Sequence, residues 1–238
     1  MVTHERSGSI ALAVALVVAA LITGIALNMA VDRFRAVERY VSVRGLAEQE
    51  VPADVAVWPV TYAAAGATPA EVQARLDEAE GVIRAFLTRS GFAAEDIGKS
   101  PPRLTDMHAH HYGDRPPPER FRAESTLTLR SQQPEKVREA AQRADELVAA
   151  GVVLATQWGA PVQYLFTGLN DIKPAMIAAA TRDAQAAADK FAEDSGGKVG
   201  GIRRGSQGYF SIEDRDAWTP EIKRVRVVTS VDYFLSDG

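Results

Sequence analysis

Hydrophobic and polar positions change rhythm several times along this chain, and each change marks an element. Residues 10–31 carry no charge. At about 1.5 Å per residue such a run covers the roughly 30 Å hydrocarbon core of a bilayer, so it predicts one N-terminal transmembrane helix. Its polar interruptions, Thr23, Gly24 and Asn28, come late and give it no wet face. A cleaved signal peptide would have a shorter apolar run and small residues at −3 and −1, whereas Asn28 stands opposite Ala30 at the exit. The pattern therefore divides the chain into a tail (1–9), an uncleaved anchor (10–31), a charged linker (32–39) and a domain (40–238).

Within the domain the period alternates between 2 and 3.6. Residues 40–45 read as a short strand ending at Gly45, followed by a turn centred on Val51-Pro52-Ala53-Asp54. Ala56, Trp58, Val60 and Tyr62 then share one face, with Pro59 interrupting, which predicts an edge or bulged strand. Thr68-Pro69-Ala70-Glu71 has the form of a capping box, opening a helix that carries Val72, Leu76, Ala79, Ile83 and Phe86 and stops at Gly91. Residues 99–110 read as a strand, and 113–118 as a loop stiffened by prolines. Phe121, Ala123, Ser125, Leu127 and Leu129 alternate with polar residues, as an antiparallel strand with one wet face requires.

Pro134 opens a second helix with Val137, Ala141, Ala144 and Val148, closed by Gly151; Val162, Tyr164 and Phe166 mark another strand. A third helix runs from near Asp171 and Pro174 to Gly196-Gly197, with Ile177, Ala180, Ala184, Ala188 and Phe191 as its stripe. Its small side chains predict close packing against a sheet. Strands over 199–212 and 224–235 complete the chain. The whole predicts an α+β fold: two strand-helix-strand-strand halves, 58–130 and 162–235, with antiparallel sheets joined by the second helix.

Composition narrows the function classes. With 238 residues, 46% of them hydrophobic, the chain can bury a real core. A net charge of −4 gives no general attraction to nucleic acid, so none is expected as a partner. The absence of cysteine excludes thiolate nucleophiles, disulfides and cysteine-based zinc sites. Arg33, Arg35, Arg39 and Arg44 follow the anchor while only Arg6 precedes it; the positive-inside rule alone would keep the domain in the cytoplasm, although a large following domain weakens that rule.

Asp106, His108, His110, His111 and Asp114 form the one cluster with ligand chemistry. On a strand Asp106, His108 and His110 would share a face and suit zinc or nickel, with His108 and His110 as the candidate ligands. Three ligands on one loop, however, lack the outer-shell support of working metal sites, so the sequence favours a solvated loop and no metal or cofactor is assigned. Gly205-Ser206-Gln207-Gly208 lacks nucleophile-elbow spacing, and His4, the remaining histidine, precedes the anchor, so no catalytic residue is assigned. Gly196, Gly197, Gly200 and Gly201 follow a helix, which suits a C-cap and turn. Trp58, Trp158 and Trp218 read as core or interface anchors, and Glu213, Asp214 and Asp216 as a solvated turn.

Three stretches carry a resemblance: Val41-Ser42-Val43-Arg44-Gly45 with Val51-Pro52-Ala53-Asp54-Val55-Ala56, the alanine-rich helix 178–192 running into Ser195-Gly196-Gly197-Lys198-Val199-Gly200, and the alternating strand 225–235. Their order and spacing resemble the SIMPL-domain family of bacterial envelope proteins, which includes a periplasmic immunogenic group. The resemblance implies an α+β fold, export across the inner membrane, and in some members assembly into ring-like or channel-like homo-oligomers; it implies no catalytic residues. It is on this ground that the domain is expected in the periplasm, with the lipid bilayer (through 10–31) and further copies of the chain as partners. The anchor and the loop 107–118 depart from simpler members.

Overall fold

In a computed structural model, the structure describes residues 16, 18, 20–25, 39–109, 117–155 and 162–237. Residues 16, 18 and 20–25 are helical, and Leu16, Val18, Leu21, Ile22 and Ile25 are exposed. Most of the predicted anchor lies outside the described residues. Among those described, no helix is long and apolar enough to cross a membrane, so the transmembrane reading rests on the sequence alone.

Strands β1 (Tyr40–Pro52), β2 (Val55–Gly66), β3 (Ile97–Lys99), β4 (Arg103–Asp106), β5 (Phe121–Ser131), β6 (Gln163–Leu165), β7 (Gly197–Gln207), β8 (Ser211–Asp214) and β9 (Ile222–Asp237) form two sheets. Helices α1 (Pro69–Arg89), α2 (Pro134–Gln142), α3 (Asp145–Ala149) and α4 (Leu169–Asp194) lie between them in the chain. The α+β class with antiparallel sheets is as predicted. The chain divides into two compact units, 49–172 with 211–225 and 1–48 with 173–210 and 226–238.

The first unit holds a five-stranded sheet in the order β3-β5-β2-β6, with β4 also on β5. β2 and β5 pair in register from Ala56↔Ser131 to Gly66↔Phe121. Period-2 alternation then sends Ala56, Trp58, Val60 and Tyr62 to the same buried layer as Ala123, Ser125, Leu127 and Leu129. Helix α1 supplies Val72, Leu76, Ile83, Phe86 and Leu87, and Trp58 meets Phe86 edge to face at 6.5 Å. Its start is capped by Thr68 as predicted, the Oγ1 accepting from the Glu71 N–H at 3.3 Å, but the Glu71 carboxylate accepts from the Ala67 N–H at 3.0 Å, one residue before the cap, so the reciprocal half of the capping box is displaced.

Several expectations need correction here. β2 is not an edge strand, because β5 lies on one side and β6 on the other. Pro59 is tolerated because β6 pairs only residues 55–57 on that side, and Ala63 N–H next donates to the Val153 carbonyl at 2.9 Å. The missing N–H thus falls in a gap in the pairing. The predicted strand 99–110 breaks into β3 and β4 around Pro101-Pro102 and ends by residue 107. The second helix is two, α2 and α3, and the break rotates the second piece so that Leu147 is buried and Val148 exposed. Together they pack Val137, Ala140 and Leu147 into this unit's core and do not form a free connector between halves. β6 likewise belongs to this sheet, so the two predicted halves do not each own their first strand.

The second unit is built on β1, β9 and β7, adjacent in that order, with α4 from Lys173 onward. β1 runs straight through Gly45, where a strand end was expected, and through Val51-Pro52, so the turn shortens to Ala53-Asp54. Val41, Ala184, Ala188, Val231 and Tyr233 form a core here. Gly45 explains why α4 is rich in alanine: a Cβ at that position would overlap the Ala180 carbonyl oxygen and the Ala184 nitrogen and lie 2.9 Å from Ala184 Cβ. The buried stripe of α4 is Met176, Ala180, Ala184, Ala188 and Ala192; the predicted Phe191 faces out and Ile177 is half-buried. Gly196 caps the helix at φ 73°, but Gly200 and Gly201 lie at register shifts of the β7–β9 ladder instead of in a turn.

Candidate functional site

The two outer strands of the second unit's sheet are treated differently. On β1 the Leu46 N–H donates to Asp183 Oδ2 at 2.9 Å, and α4 packs on Gly45. Among the described residues β7 has no such cover. Apart from the half-buried Gly197 and Val199, its residues are exposed, Ile202 among them, and no strand among the described residues pairs with its outer edge. Gly208 N–H donates to the Val228 carbonyl at 2.8 Å. By alternation the N–H of Ser206 faces β9 and that of Gly205 faces outward, leaving an open row of peptide donors and acceptors.

The loop between β8 and β9, in the first unit, is locked by one carboxylate. Asp216 accepts from the Trp218 N–H (2.9 Å), the Thr219 N–H (2.9 Å), Thr219 Oγ1 (2.6 Å) and Arg215 Nε (2.9 Å). The Thr219 hydroxyl, Arg215 and the loop N–H groups together hold its carboxyl far below the usual carboxylate range. Arg215 also reaches Glu50 at 3.5 Å, and Lys223 pairs with Asp214. This framework presents Trp218 with 91% of its surface open. Of the other predicted tryptophan anchors, Trp58 is in the core and Trp158 lies outside the described residues. Glu213 and Asp214 are exposed but belong to strand β8 and not to the expected turn, which begins after them and has Asp216 as its structural pin.

A cavity of about 340 Å³ lies on the first unit, lined by Ala63, Ala64 and Ala65 of β2, Ala79 and Val82 of α1, and the segment 150–153. Arg75 and Glu78 stand among its lining residues. Arg75 is bound to Glu71 and the Ala65 carbonyl; Glu78 has no hydrogen-bond or ion-pair partner among the described residues.

The histidine cluster is resolved into turn chemistry where it is described. Asp106 accepts from the His108 N–H at 3.0 Å and the Ala109 N–H at 3.3 Å, and Arg120 binds its other oxygen at 3.0 Å. The Arg120 guanidinium holds this carboxyl below its ordinary range. His108 Nε2 lies 2.9 Å from the Pro117 carbonyl oxygen. His110, His111 and Asp114 lie outside the described residues, as does His4, and no group of three metal-type ligands occurs among the described ones. β4 ends at Asp106 and His108 lies in a turn, so these two do not share a strand face as expected. Ser206 sits within β7, not on an elbow.

Composition and periodicity did not single out the bare β7 edge, the cavity or the locked tryptophan. Only the last had a local signal, Asp216 standing three residues before Thr219, the spacing of a side-chain-capped turn. The family model described as SIMPL, protein of unknown function (DUF541), matches residues 41–228. No curated protein matches the chain.

Proposed function

The chain belongs to the SIMPL family, and from that membership we propose a non-enzymatic envelope protein, anchored in the inner membrane by residues 10–31, whose periplasmic α+β domain assembles into a homo-oligomer. The observation that carries this reading is β7: a strand of 11 residues with no partner strand on one edge among the described residues. Such an edge is a template for strand addition, and natural sheets usually blunt it. Here β1 is covered by Asp183 and α4, while β7 carries bulges in its first half and Lys198, Arg203 and Arg204 but has no covering element among the described residues, so the regular stretch 204–207 is the part open to strand addition. A neighbouring copy is the simplest cover, since copies are anchored in one plane and meet at high local concentration.

Light scattering and negative-stain imaging of the detergent-purified full-length protein test this. A discrete particle of many subunits is the expected result, and a clean monomer at all concentrations overturns it. Gly205→Pro removes an outward N–H, and a Cβ there would meet nothing within 4 Å. The variant should keep its circular dichroism and lose subunits. Protease added outside spheroplasts should digest the domain; protection would reverse the orientation.

A further inference from the structure

We propose that Trp218 is the knob of a contact between copies, and that the alanine-lined cavity of a second copy is its hole. This rests on the self-assembly reading above and names a contact separate from β7. Three observations converge on it. Trp218 is 91% exposed and fills no pocket among the described residues. Its loop is already ordered by Asp216, so docking the indole costs little conformational entropy. The cavity, at about 340 Å³, falls at the small end of the range that takes compact ligands, and the methyl groups of Ala64 and Ala79, on the sheet face that α1 covers, leave room where larger side chains would close it.

The chemistry matches as well as the size. An indole is a flat apolar body with one N–H donor. The cavity offers alanine and valine walls, the Glu78 carboxylate as an acceptor without another partner among the described residues, and the Arg75 guanidinium for the ring face. Val153, 62% exposed, extends the apolar surface at the rim. A buried tryptophan ringed by apolar and charged groups is the usual anatomy of an interface hot spot. Because knob and hole are different patches, the contact can pass from copy to copy and close a ring.

Trp218→Ala removes the knob and Val153→Glu charges the rim; both positions are exposed, so both variants should fold. Detergent-purified full-length proteins are compared by light scattering. Wild type is expected to be oligomeric, and each variant to fall at least twofold in mass. An equimolar mixture should gain mass by one pairing and stop short of the wild-type particle, because the Trp218→Ala copy keeps only its hole and the Val153→Glu copy only its knob. Trp218 emission should shift to the blue on assembly. If Trp218→Ala assembles like wild type, this docking is overturned while self-assembly stands; if wild type is monomeric, both fall. A blue shift on adding phosphatidylcholine vesicles without a change in mass would assign Trp218 to lipid and overturn the proposal.

Discussion

The two helices that cover the two sheets pack by opposite rules. Helix α1 fills its space with bulk: Leu76, Ile83, Phe86 and Leu87 are buried against Trp58, Leu127 and Leu129. Helix α4 does so with absence: alanines at 180, 184, 188 and 192 and a glycine opposite them let the backbones touch. Large side chains leave a core sensitive to deletion, since each removed group opens a cavity. Small ones leave it sensitive to addition, since no rotamer can absorb a new carbon.

Substitutions of opposite sense sharpen this contrast, and an outcome of the wrong sign would break it. Phe86→Ala has the largest expected effect, a loss of about 4 kcal/mol in urea unfolding, at the level of buried aromatic truncations. Gly45→Ala adds a single methyl and is expected to cost about 3 kcal/mol, the upper part of the overpacking range, because the obstacle is helix backbone. A neutral Gly45→Ala would mean that α4 shifts freely, and the contrast would fail. Asp54→Ala touches neither core. It strips the acceptor from the Thr167 and Gly168 N–H groups at the start of α4, and about 1–2 kcal/mol is expected, as for a lost helix cap.

The smallest effect is confined to one loop. Asp216 has a folded-state pKa below its unfolded value, so its contribution is complete above the ordinary carboxylate pKa of about 3.9 and fades as pH falls below it. Trp218 anisotropy should therefore stay flat from about pH 7 to 5 and drop only below about pH 4. A drop near neutral pH would show that something other than this carboxylate orders the loop.

Strands with one wet face were legible because alternation is a local record of burial, and β5 is the clearest case. Helix phase was legible until something local broke it. Leu147 replaces Val148 in the core because the chain resets at Arg143-Ala144, a shift of one residue that no propensity announces. The beginning of α4 was hidden for another reason. Pro174 looked like its first turn, yet the helix starts at Leu169, where the acceptor for the N–H groups just before it comes from Asp54. The family stretch Val51-Pro52-Ala53-Asp54 thus gains a structural meaning. Neither the open edge of β7 nor the exposure of Trp218 could be read from sequence, because both depend on which strands become neighbours.

The Asp54 cap also bears on the order of events as the chain leaves the unfolded state. Its partner Thr167 is 113 residues away, so the clasp closes a long loop and its entropy must be met before the hydrogen bonds form. Contacts of that span are expected to form late, after the local helices have taken shape. A late clasp is expected to act on the exit rate more than on the entry rate: removing it should speed unfolding while leaving the speed of folding almost unchanged.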